Sequence, residues 1–283
     1  MKRAFSILLV SALLVPFVLN SCKKAETRPL GVQLYSVRDS MQTDPAGSIE
    51  KIGKLGFKFV ELYGYHDRKF FGMEPAAFKA LVEKNGMSVL GSHTGASMPD
   101  SANWDKTMAW WDTCIADHKA VGAKFVIQTW MDSIAYTSLA NLKKYCEYFN
   151  AVGEKCKAAG LTFGYHNENV EFKELEGQIP FDYLIQNTDS TKVVFELDTW
   201  NMTDAGKNPV EYLKKYPGRF ILWHVKDEKE MGASGKIDFK AIFNLADFSG
   251  VKYYVLEQEA YSTNPFDGLA KSLEYMKKEG FVK

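Results

Sequence analysis

Val193-Val194-Phe195-Glu196-Leu197-Asp198 is an apolar, β-branched run that closes on a carboxylate. Three further runs end the same way: Leu161-Thr162-Phe163-Gly164-Tyr165-His166, Phe220-Ile221-Leu222-Trp223-His224 and Tyr253-Tyr254-Val255-Leu256-Glu257. The closing residues His166, Asp198, His224 and Glu257 are 32, 26 and 33 positions apart. One strand with its return helix takes roughly 30 residues. Each gap therefore holds one βα unit, and the four side chains are expected to meet at one end of a parallel sheet. Two imidazoles and two carboxylates at one point suit a divalent metal such as Zn²⁺ or Mn²⁺.

Working outward, eight such runs recur: 31–36, 57–62, 87–92, 123–130, 161–166, 192–198, 219–225 and 251–257. Their starts lie 26, 30, 36, 38, 31, 27 and 32 residues apart. Segments of helical period fill the intervals, at 46–55, 75–84, 104–121, 138–159, from 209 to about 215, and from 265 to about 278. Gly56, Gly86, Gly122 and Gly160 follow helices directly, where a left-handed cap is needed. Eight alternating units predict a (β/α)₈ TIM barrel, a single α/β domain over 29–283. An open doubly wound sheet would announce a Gly-rich turn after its first strand, and 31–40 has none.

The chain has 283 residues, 46% hydrophobic and 25% charged, with 35 basic and 35 acidic side chains. A net charge of zero gives no field for nucleic acid and suits a small neutral substrate. Met1-Lys2-Arg3, an apolar run to Leu19 and Leu19-Asn20-Ser21-Cys22 read as a secretory signal over 1–22. Its end resembles the lipobox of bacterial lipoproteins. That resemblance implies a lipid on Cys22, a tether over 23–28, and an extracytoplasmic protein held to a membrane by lipid alone. An uncleaved membrane anchor is the other reading, but the run is short of the ~20 residues a span requires. Cys114, Cys146 and Cys156 are an odd set without paired spacing, expected as buried free thiols.

Around the four residues the same strands carry further candidates. Glu196 shares a face with Asp198 and is expected to pair with a lysine deeper in the barrel. Asp198 itself is a metal ligand or a helix N-cap. Lys226 follows His224 on one face and would steady substrate oxygen. Glu257 and Glu259 alternate onto one face, one a ligand and the other a base or substrate contact. His166 and Glu168 do likewise, the first preferred as ligand and the second as acid/base. In the first half, Gln33, Glu61, Gln128 and His93 lie at strand ends as substrate or supporting contacts. His93 is the best free base there, because imidazole titrates near neutrality. Tyr35, Tyr63, Trp104, Trp130 and Trp200 are available to stack on a sugar or to fill the core.

Gly31-Val32-Gln33-Leu34-Tyr35-Ser36-Val37-Arg38-Asp39 resembles the first strand of a large branch of the xylose isomerase-like sugar isomerase/epimerase superfamily. Tyr165-His166-Asn167, Phe195-Glu196-Leu197-Asp198, Trp223-His224-Val225-Lys226-Asp227 and Val255-Leu256-Glu257-Gln258 extend the likeness over nearly all of the mature chain. The resemblance implies a divalent metal, Mn²⁺ first, with Zn, Co or Mg as alternatives. In its ketose epimerases the ligands are Glu, Asp, His and Glu. Asp198, His224 and Glu257 fall on the last three, and His166 stands where the first Glu would be. Asn201 replaces a histidine three residues past the aspartate.

The chemistry expected is proton abstraction beside the carbonyl of a sugar or keto-sugar, with the metal stabilising an enediolate. Glu257 or His93 takes the proton, Glu168 or a water on the metal returns it, and Lys226 steadies the oxyanion. Return to a neighbouring carbon or face makes an isomerase or epimerase. Loss of a β-substituent makes a lyase or dehydratase on a 3-keto-sugar or keto-glycoside. A lipid-anchored sugar-binding protein without catalysis is the alternative of another class.

Overall fold

The computed structural model describes residues 28–283. Eight parallel strands close into a barrel: β1 (Leu30–Gln33), β2 (Phe59–Leu62), β5 (Ser88–His93), β6 (Phe125–Gln128), β7 (Thr162–His166), β8 (Val193–Asp198), β9 (Phe220–Val225) and β10 (Tyr253–Leu256). Two short strands, β3 (Tyr65–His66) and β4 (Lys69–Phe70), form a hairpin outside it. Neighbours in the barrel are neighbours in sequence, and β1 pairs with β10 to close the ring.

Alternation along the strands makes two layers inside the barrel. Phe59, Leu90, Phe125, Ile127, Leu222 and Val255 form a buried apolar plug. Two residues further along β2, β9 and β10, the side chains of Glu61, His224 and Glu257 follow the plug residues toward the C-terminal end, where barrel sites form. The larger apolar cluster lies between the strands and the surrounding helices, with Trp111, Tyr148, Phe149 and Trp223 fully buried. The expected helices are present, and Gly56, Gly122 and Gly160 cap three of them at φ 96°, 91° and 82°. Cys114, Cys146 and Cys156 are free and buried.

Gly31 leaves room for the plug. A Cβ there would stand 2.0 Å from the Phe59 ring and 2.7 Å from its carbonyl oxygen. Gly31→Val is expected to lower stability by about 3 kcal/mol, because overpacking a closed barrel displaces backbone. The midpoint of urea unfolding measures this.

The pattern in sequence missed the β3–β4 hairpin, whose strands are two residues long. Its turn uses Asp67 and Arg68 at positive φ, 48° and 64°. Arg68 and Tyr65 bind the Asp117 carboxylate at 2.9 and 2.7 Å, which fastens the hairpin to the helix Trp104–Val121. Beside it, His118 is fully buried, with Nδ1 2.6 Å from the Cys114 carbonyl and Nε2 without a partner. Burial lowers its pKa to about 4 from the 6.5 of a free imidazole. The folded value lies below the unfolded one, so this contribution is full above pH 6.5 and drains away as pH falls toward 4. Between pH 7 and 5 it amounts to about 2 kcal/mol. His118→Gln should therefore flatten the acid side of the stability profile by that amount.

Arg28 belongs to the domain rather than to the tether. It donates to the Val251 carbonyl at 2.6 Å and pairs with Asp247 at 2.8 Å. The signal over 1–22, Cys22 and the rest of the 23–28 tether lie outside the described residues. Among the described residues, no helix is long and apolar enough to cross a membrane.

Candidate active site

The four strand-end residues converge. One donor atom from each of His166, Asp198, His224 and Glu257 lies within 4.8 Å of the others, and all four residues are buried. Asp198 is the helix N-cap of the two readings, and it uses only one of its oxygens for this. Oδ1 accepts the Asn201 backbone N–H at 2.7 Å and caps the helix Thr199–Asp204, whereas Oδ2 has no hydrogen bond. His166 Nε2 is 3.4 Å from that free oxygen, and neither of its ring nitrogens has a hydrogen-bond partner. His224 Nδ1 is 3.3 Å from Glu257 Oε2. Buried polar atoms are ordinarily satisfied. The free Asp198 Oδ2 and His166 Nε2, side by side in a ring of carboxylates and imidazoles, fit a divalent cation, whose coordination would satisfy both.

Lys226 crosses this ring. Its Nζ lies 3.1 Å from Glu257 and 3.4 Å from Asp198, and it bonds Glu259. Burial would raise the Asp198 and Glu257 carboxyls, but Lys226 first, then His166 for one and His224 for the other, hold both below the usual range. Burial pushes the His166 imidazole down to about 4, the neutral form a metal requires. Glu168 goes the other way. Burial, and then the Asp198 charge, push it up to about 8.

Glu168 is held at two points. Its carboxylate accepts the Asn201 side-chain amide at 2.9 Å, and its backbone N–H donates to Glu171 at 2.9 Å. Glu171 is itself buried and accepts the hydroxyls of Tyr136 and Tyr165 at 2.6 and 2.5 Å. Asn167 secures Asp198 by accepting its backbone N–H at 2.9 Å. The sequence reading passed over Glu171 and Asn167. Asn167 lies between two candidates, while Glu171 gives no signal, since Tyr136 is 35 residues away.

A second polar ring lies beneath, made by Glu61, His93, Glu196 and His224. Three expectations change here. Glu196 pairs with His93 at 3.0 Å instead of a lysine. His93 is not a free base: its Nε2 is committed between Glu61 and Glu196, and these carboxylates outweigh burial to raise it to about 10. Glu61 is fully buried and bonds Gln33 and His224, so it is no substrate contact.

Above the upper ring is a cavity of about 380 Å³ lined by Tyr35, Tyr63, His93, Thr94, Thr129, Trp130, His166, Glu168, Glu257 and Glu259. Trp130 and Glu259 thus stand where substrate contacts were expected. Gln33 and Gln128 do not: Gln33 caps Tyr35 N and bonds Glu61, and Gln128 donates to the Trp130 carbonyl at 2.8 Å. Trp104 packs on Tyr148, and Trp200 lies under Lys236.

Comparison with known proteins agrees with this architecture. An inosose dehydratase of Clostridium beijerinckii is 28% identical over 166 residues, 49% of this chain and 55% of the relative. One from Lacticaseibacillus casei is 24% identical over 151 residues, 44% of this chain and 50% of the relative. The chain spans about half the length of these curated relatives. A crystal structure described as a sugar phosphate isomerase/epimerase from Parabacteroides distasonis is 30% identical, with a TM-score of 0.84 over 90% of this chain and 100% of that one. A D-psicose 3-epimerase from Clostridium cellulolyticum shares the fold at 15% identity, with a TM-score of 0.71 over 88% of this chain and 98% of that one. The sequence profile of the xylose isomerase-like TIM barrel matches residues 49–279. The chain belongs to the xylose isomerase-like TIM barrel family.

Proposed function

We propose that this protein is a divalent-metal-dependent enzyme that moves a proton beside the carbonyl of an unphosphorylated sugar, as an isomerase or epimerase. The observation that carries this reading is the orphaned Asp198 Oδ2 and His166 nitrogens, set below a cavity whose wall holds Glu257 and Glu168. His166, Asp198, His224 and Glu257 would hold the metal. When bound, the metal supplies Lewis acidity to the carbonyl and its adjacent hydroxyl. Mn²⁺ is the first choice, with Zn, Co or Mg as alternatives.

The chain's own residues do the rest. Glu257 takes the proton at a carboxylate oxygen. Glu168, oriented by Asn201, gives one back from its carboxyl. Lys226 is fixed by three carboxylates and adds positive charge where an oxyanion would develop. Tyr35 and Trp130 expose 38% and 40% of their surfaces at the cavity, enough to cover a sugar ring. Among the described residues, no lysine or arginine lines that cavity. Arg38 lies over the Tyr35 ring at 4.8 Å. A phosphate would meet the carboxylates of Glu168, Glu257 and Glu259, while the nearby Lys226 is already committed to three carboxylates. The reading therefore departs from the sugar phosphates named for the Parabacteroides structure.

Elimination from a keto-sugar or keto-glycoside is the second reading, favoured by the inosose dehydratase relatives. The same Glu168 proton would then go to the leaving oxygen. A lipid at Cys22 would place the barrel outside the cytoplasm, where unphosphorylated sugars and keto-glycosides are the available substrates. Incubation with such sugars in D₂O, followed by NMR, tests both. Deuterium beside the carbonyl of an isomer or epimer supports the first reading, and an unsaturated product the second. Turnover restricted to phosphorylated sugars would overturn the substrate class.

A further inference from the structure

The lower ring has a geometry of its own. Glu61 Oε2 stands 3.0 Å from His93 Nε2 and 2.6 Å from His224 Nε2. Glu196 Oε2 stands 3.0 Å from the same His93 nitrogen and 3.3 Å from the same His224 nitrogen. Two imidazoles thus aim the same ring nitrogen at the same two carboxylate oxygens. Donors placed tetrahedrally about a Zn²⁺ ion are about 3.4 Å apart, given bonds near 2.1 Å. The four measured edges run from 2.6 to 3.3 Å, somewhat inside that spacing.

We propose that Glu61, His93, Glu196 and Nε2 of His224 form a second, inner site for a four-coordinate divalent cation of the Zn²⁺ type. Glu61 and Glu196 are fully buried, and the second oxygen of each has no hydrogen-bond partner. Two buried carboxylates demand compensating positive charge, which a dication supplies in place of the two imidazole protons it displaces. Gln33 donates to Glu61 Oε2 at 2.9 Å and orients it, the support that a ligating carboxylate usually has. The His93 side chain is 14% exposed and lines the upper cavity, which gives an ion its route inward. On binding, the Nε2 protons of His93 and His224 leave to solvent, and where the upper site is also filled the Nδ1 proton of His224 leaves too, so that it bridges as an imidazolate. His224 then joins the two sites, Nδ1 turned to Glu257 and Nε2 to Glu61. The inner ion would be structural, fixing the ring that orients an upper ligand.

The inference shares only His224 with the catalytic reading, so the two can fail separately. The test is elemental analysis after Zn²⁺ reconstitution, with Co²⁺ substitution to read geometry. The folded wild type should hold two ions per chain, one giving the intense visible bands of four-coordinate Co²⁺. His93→Gln and Glu196→Gln should each remove one ion and those bands, and Asp198→Ala should keep them. A single ion that survives Asp198→Ala but not His93→Gln also supports the inner site, while sinking the upper one. A single ion that survives His93→Gln, or no ion at all, overturns the inner site. Should the variants not fold, the wild type decides alone: absence of a second equivalent with four-coordinate bands overturns it.

Discussion

Asp198→Ala is expected to lower kcat/KM by about 10³-fold or more, the scale on which metal-assisted proton transfer loses its electrostatic support. The barrel should still fold. Lys226 keeps Glu257 and Glu259 as partners, so no buried charge is stranded by the loss. The short helix after β8 loses its cap, which costs about 1 kcal/mol. Asp198→Asn separates the two duties of this residue. An asparagine side chain still accepts the Asn201 N–H, so stability should return to near the wild-type value. It brings no charge to the vacant Oδ2 position, so activity should stay low. Urea unfolding and steady-state kinetics on the pair check both halves. Activity recovered by Asp198→Asn would make the cap, and not the free oxygen, the important duty.

Glu257→Gln carries the second large effect. Its side chain is 6% exposed, against 45% for Glu259, and both reach Lys226. A general base contributes about 10²–10⁴-fold, and its amide cannot accept the proton. The expected result is a fall of that size in kcat, with deuterium exchange beside the carbonyl falling in parallel. Glu259→Gln should cost about 10-fold or less, since it releases only one of three anchors on Lys226. This comparison settles the alternation that sequence left open between the two acids. Equal losses in both variants would move the base to Glu259 or to the lysine it holds.

The barrel was legible because its signals are local. Alternating strands, Pro at helix starts and Gly at helix ends lie within a few residues of the elements they specify. The upper ring was legible for the same reason, as each member closes its own strand. What sequence could not supply is which side chain faces which across the barrel. Glu61 meets His224 over 163 positions, and His93 meets Glu196 over 103. Strand periodicity places these residues on the inner face but not opposite one another. His93 therefore read as a free base, and Glu196 as the partner of a lysine. The β3–β4 hairpin was hidden because two-residue strands show no alternation. The supporting role of Glu171 was hidden because its two tyrosines come from separate segments, at 136 and 165.

The most direct measurement is the metal content of purified protein beginning at Lys23, compared with Asp198→Ala prepared in parallel. The account predicts bound divalent metal in the wild type and the loss of one equivalent per chain in the variant. Wild type that holds no metal after reconstitution with excess Mn²⁺, Zn²⁺ and Co²⁺ would contradict it. The cavity over Glu168 and Glu257 would then be better read as the site of a sugar-binding protein.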